Sequence, residues 1–114
     1  MQIEIQTENY TLPNDLEDYI KLHLGFDDSD AYDQVEHVLV KLSEVDASHG
    51  ISDVDGSKNK ATQNCFITIK LEGIPMVIDV QNTEEDMHYA IDLTAKRARK
   101  TALLWLRRYG KNTA

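Results

Sequence analysis

The side chains that could do chemistry are few and scattered. The single cysteine, Cys65, opens a run in which Cys65, Ile67, Ile69 and Leu71 alternate with Phe66, Thr68 and Lys70. That pattern points the thiol into a core. A reactive thiolate needs a cation or a helix N-terminus beside it, and nothing in the run offers one. His23, His37, His49 and His88 fall on four different stretches and lack the spacing of a metal site. Asp53-Val54-Asp55-Gly56 has the look of the start of a calcium loop. Aligning it as one places Ile51 at the first ligand position and Thr62 at the bidentate one, and neither can serve. A turn is the plainer reading. There is no glycine-rich phosphate loop and no signature of paired catalytic carboxylates. The sequence predicts a protein that is not an enzyme, with no metal, no cofactor and no small-molecule substrate.

Charge is the chemistry that stands out. The chain carries 20 acidic and 12 basic residues, a net charge of −8. Seven of the basic residues are Lys96, Arg97, Arg99, Lys100, Arg107, Arg108 and Lys111, and no Asp or Glu follows Asp92. Cations at a helix C-terminus complement its dipole, but one or two suffice for that. A block of this size at one end of an acidic chain points to an anionic partner.

The elements that must position this block can be read from periodicity. Residues 2–6 alternate, with Ile3 and Ile5 on one side, as in a short strand. A helix is expected from Thr11–Pro13, with Thr11 as cap and Pro13 in the first turn. Leu12, Leu16, Tyr19, Ile20 and His23 share one face of it, and Gly25 ends it. Asp27, Asp28, Ser29 and Asp30 read as an acidic loop. Residues 35–45 read as a strand, with Val38, Val40 and Leu42 on one face and Val35, His37 and Leu39 on the other. The stretch 46–64, rich in Asp, Ser, Gly, Asn and Lys, reads as a long flexible loop. A strand over 65–71, a turn at Glu72-Gly73-Ile74-Pro75 and a strand over 76–80 follow, with Met76, Ile78 and Val80 inward.

Thr83, with Asp86 three residues on, is expected to open a last helix running to Tyr109 and ending at Gly110. Met87, Ile91, Thr94, Ala98, Ala102, Trp105 and Tyr109 share one face of that helix. Lys96, Lys100, Arg107 and Lys111 share the opposite one, flanked by Arg97, Arg99 and Arg108. A row of cations one or two turns apart can track a phosphate backbone. Leu93, Leu103 and Leu104 lie among these charges. They read as incidental surface leucines, as apolar contacts beside phosphate, or as a weak homodimer interface.

The order is therefore β-α-β-β-β-α, an α+β fold in which two helices pack on one face of a small sheet. With 114 residues it is a single domain, 1–114. No run of apolar residues is long enough to span a membrane, and the first residues do not read as a secretory signal. One cysteine allows no internal disulfide, which fits a cytoplasmic protein.

This order of elements, with Asp86-Met87-His88-Tyr89-Ala90-Ile91-Asp92 opening the last helix and Ala95-Lys96-Arg97-Ala98-Arg99-Lys100 continuing it, resembles the ribosome-hibernation (ribosome-associated inhibitor) family in its short form. Leu16, Tyr19, Ile20 and Leu24 fit that family's first helix, and the resemblance spans roughly 1–109. His88 and Tyr89 swap the usual order of aromatic and small residues. The resemblance implies binding to the rRNA of the small ribosomal subunit, in the channel that holds mRNA and tRNA, and so a stress-linked block of translation. Lys96, Lys100, Arg107 and Lys111 would contact rRNA, with Lys58 and Lys60 as further contacts from the loop. The chain ends at Ala114 without the extension of the long forms, which implies an inactivator of single ribosomes.

Two features depart from that pattern. The loop 46–64 is longer than in the short forms, and the first helix carries Asp15, Glu17 and Asp18 where family members carry cations. The rival reading is a protein–protein module with the same fold that has lost ribosome binding and docks a basic protein. A third is a nonspecific nucleic-acid binder, since a sheet with a basic helix also suits double-stranded RNA.

Overall fold

The computed structural model describes residues 2–25, 33–45 and 62–109. Within them the elements are β1 (Gln2–Glu8), α1 (Asn14–Leu24), β2 (Val35–Glu44), β3 (Gln63–Leu71), β4 (Val77–Glu84) and α2 (Met87–Tyr109). This is the expected β-α-β-β-β-α order. The strands form one four-stranded sheet in the order β1-β2-β3-β4. β1 runs parallel to β2, so the chain must cross over between them, and α1 lies in that crossover. The other neighbours are antiparallel.

Alternation puts one set of side chains under the helices. Val38 pairs with Ile69 and Ile69 with Ile78, while Val40 pairs with Ile67 and Ile67 with Val80. All six are buried, and Leu16, Ile20 and Leu24 of α1 and Met87, Ala90, Ile91, Ala95, Ala98, Ala102 and Leu106 of α2 join the same core. The alanines let α2 lie close over β3 and β4, and α1 packs beside it. The buried Thr94 hydroxyl is satisfied within this layer: it donates to the Ala90 carbonyl at 2.6 Å and lies 3.4 Å from that of Cys65.

The structure corrects several sequence expectations. Val35 was expected beside His37 but is buried, because the pairing register shifts between Val35 and His37 and turns Val35 onto the core side. β3 begins at Gln63, so the loop is shorter than 46–64. The Val45 amide donates to the Thr62 carbonyl at 2.8 Å and closes its base. Met76 lies outside β4 and is 50% exposed, since the turn with Gly73 in the left-handed region and Pro75 carries it past the sheet edge.

Both helix starts also move. Residues 77–84 continue β4, and the Thr83 hydroxyl donates to Asn64 Oδ1 across the ladder at 2.8 Å. The cap of α2 is Asp86, whose Oδ2 accepts from the Tyr89 amide at 3.1 Å. α1 starts at Asn14 behind Pro13, without a side-chain cap from Thr11. Gly25 does end α1, with φ of 62° and its amide on the Lys21 carbonyl.

Candidate nucleic-acid interface

α2 has two unlike faces. One is the buried stripe just described. It is broad because the sheet covers one side of it and α1 another. Ala95 and Leu106, the latter 8% exposed, are buried as well, although they lie at the margin of the stripe read from the sequence. Trp105 is only partly buried against the core and Tyr109 is 51% exposed, so the far end of that stripe is open rather than sealed.

On the opposite side Lys96, Lys100 and Arg107 are all exposed. At about 100° per residue they lie within about 40° of one another, along roughly 16 Å of helix. None of the three forms an ion pair among the described residues. Arg108 is exposed on the flank toward the β3–β4 turn.

The remaining cations of the block are placed differently. Arg97 turns down onto β4, where its Nη1 lies 3.0 Å from Asn82 Oδ1 and 3.3 Å from the Gln81 carbonyl. Arg99 lies over the end of α1: a β-carbon at Gly25 would come within 3.4 Å of its Nη1. That is where the α1 dipole is negative. Lys58, Lys60 and Lys111 lie outside the described residues. The row that the fold displays thus consists of Lys96, Lys100 and Arg107, with Arg108 beside it.

α1 adds no unpaired cation. Lys21 pairs with Glu17 at 3.2 Å. His23 Nδ1 lies 3.3 Å from Asp92 Oδ1, the oxygen that also accepts the Tyr19 hydroxyl at 2.7 Å. Tyr19 stacks near His23 and meets His88 edge-on, with ring centroids 4.1 and 4.8 Å away. The two histidines, far apart in sequence, therefore flank one tyrosine at the helix–helix seam. The hydrogen bond to Asp92 and, next, burial push the Tyr19 phenol up to about 12. Asp15, Glu17 and Asp18 are exposed. Among the described residues no three His, Cys, Asp or Glu side chains gather as a metal site.

Leu93 and Leu103 are half-buried and Leu104 is 58% exposed. Leu104 joins Met76, Trp105, Arg108 and Tyr109 around an open cavity of about 250 Å³ at the end of α2. Sequence reasoning missed this site. Its signal was the spacing of Trp105 and Tyr109 one turn apart, but both were placed on the buried face.

No protein-family model matches the chain, and no curated protein does. Solved structures do. A ribosomal subunit interface protein from Coxiella burnetii superposes with a TM-score of 0.69 at 16% identity, covering 94% of this chain and 99% of its own. The N-terminal domain of Protein Y from Thermus thermophilus gives 0.64 at 20% identity, covering 92% of this chain and 99% of its own. The chain has the fold of these two proteins. The fold expected from the resemblance to hibernation proteins is therefore the one observed, over nearly the whole chain. No helix among the described residues is long and apolar enough to cross a membrane.

Proposed function

We propose that this protein is a ribosome-associated factor that binds small-subunit rRNA through α2 and holds translation off by occupying the channel for mRNA and tRNA. The observation that carries this reading is the exposed row of Lys96, Lys100 and Arg107, without ion pairs among the described residues, on a fold shared with a ribosomal subunit interface protein. No reaction is needed: phosphate neutralisation supplies affinity and the body of the domain supplies the obstruction. Arg97, held to β4 by its hydrogen bonds, would act as a support for the row, with Arg99 on the other flank over the end of α1.

The test is co-sedimentation with ribosomes and isolated small subunits across a salt series. Binding should weaken steeply as salt rises. Replacing Lys96, Lys100 and Arg107 by Ala should flatten the plot of log K against log salt by about two to three units while leaving the fold intact. Wild-type protein that stays in the supernatant at low salt would refute the proposal.

A second reading has its own support. The exposed Asp15, Glu17 and Asp18 of α1, with Leu22 72% exposed beside them, form a surface that repels phosphate and suits a basic protein. Under that reading the fold is kept and the partner is changed.

A further inference from the structure

We infer that the cavity at the end of α2 is a seat for one unstacked nucleobase, so that the helix holds a single strand by its phosphates along the row and by a base at the tip. This rests on the nucleic-acid reading above and deepens it. The cavity is lined by Met76, Leu104, Trp105, Arg108 and Tyr109. Trp105 and Tyr109 have ring centroids 6.2 Å apart at 84°, so they form a corner. A flat ring stacked on the face of one of them presents its edge to the face of the other, the two arrangements aromatic groups favour. Met76 and Leu104, 50% and 58% exposed, provide the apolar walls. At about 250 Å³ the space is smaller than that of a typical small-molecule pocket, about 300–1,000 Å³.

The charge around it selects the occupant. Arg108 and Leu104 line the cavity, and Lys100 and Lys96 precede Leu104 by one and two turns on the same i, i+4 ridge of α2. From Lys96 to Ala114 the sequence has no Asp or Glu. A flat apolar group joined to successive anions is a nucleotide strand, and aromatic stacking beside a cationic track is how such strands are gripped without regard to sequence. A two-fold partner copy that met this face with its own would set Arg107 and Arg108 against like charges. The chain's own residues 110–114, Gly-Lys-Asn-Thr-Ala, include no side chain able to fill an aromatic corner.

Trp105 is the only tryptophan, so its fluorescence reports the site directly. The full chain is titrated with an oligoadenylate RNA and with an abasic sugar–phosphate strand of equal length, following both anisotropy and Trp105 emission. Both strands should bind, with parallel salt dependence, but only the oligoadenylate should bind the more tightly and quench Trp105. Tyr109→Ala and Met76→Ala alter exposed side chains and should leave the fold intact. Each should weaken oligoadenylate about tenfold and leave the abasic strand unchanged. Equal binding of the two strands with unaltered emission would overturn the base seat while leaving the phosphate row in place. Failure of both strands to bind at low salt would overturn seat and row together. Quenching by an acidic peptide with an apolar anchor, without quenching by RNA, would assign the cavity to a protein.

Discussion

The Tyr19 hydroxyl donates a 2.7 Å hydrogen bond to Asp92 Oδ1, joining α1 to α2 across 73 residues of chain. The carboxylate favours the protonated phenol, so the Tyr19 pKa is raised from 10.0 to about 12. The stabilisation is complete below the unfolded value near 10.0 and is lost as pH rises through about 12. Tyr19→Phe should lower stability by about 1 kcal/mol in urea unfolding at neutral pH, below the roughly 1.5–3 kcal/mol of a buried bond to a charged group because the site is half-exposed. It should also flatten the fall in Tm at alkaline pH. An unchanged alkaline slope would mean that Tyr19 titrates as a free phenol.

Asp86 is the residue on which α2 begins, through the 3.1 Å bond its carboxylate accepts from the Tyr89 amide. Asp86→Ala should cost about 1 kcal/mol of stability, and Asp86→Asn or Asp86→Ser should recover most of it. Chemical denaturation of the three variants decides this. A neutral Asp86→Ala would show that another group caps the helix.

Cys65 is fully buried, and burial pushes its thiol up to about 12, partly offset by the Thr94 hydroxyl. The folded protein should resist a thiol reagent at neutral pH and react with one equivalent once unfolded. Rapid labelling of the native state would reveal an opening of the α2–β3 layer that the static packing does not contain.

Leu106 and Trp105 should exchange the importance that the sequence suggests for them. Leu106 is 8% exposed and belongs to the core, so Leu106→Ala should cost about 2–3 kcal/mol. Trp105 is only partly buried, and Trp105→Ala should cost about 1–2 kcal/mol, below the 3–5 or so of a buried tryptophan. Circular dichroism melts would compare them without relying on tryptophan emission. A larger loss at Trp105 would close the cavity described above.

Where the sequence was legible, a period enforced it. Val38, Val40 and Leu42, and Cys65, Ile67, Ile69 and Leu71, alternate cleanly, and each faces the core. Gly25 could end α1 because the left-handed conformation there favours glycine. What was illegible depended on contacts far apart in the chain. Nothing local to Val35 announces a register shift, and nothing local to Leu106 says that the buried stripe of α2 will widen to include it. Thr83 followed by Asp86 fits a capping pattern equally well as the end of a strand, and pairing with Asn64 decided it. The charge block was plain in the sequence, but its division was not. Arg97 and Arg99 differ from Lys96 and Lys100 by what lies beneath them, Asn82 in one case and the end of α1 in the other.

That division has an evolutionary consequence. The cations that face solvent carry no part of the packing, so drift or selection can rewrite them one at a time without passing through an unfolded intermediate. Arg97, hydrogen-bonded to β4, lacks that freedom. Lineages descending from such a chain could lose, invert or strengthen their attraction to polyanions while the architecture persists unchanged, which is how one shape comes to outlast the partner it first served.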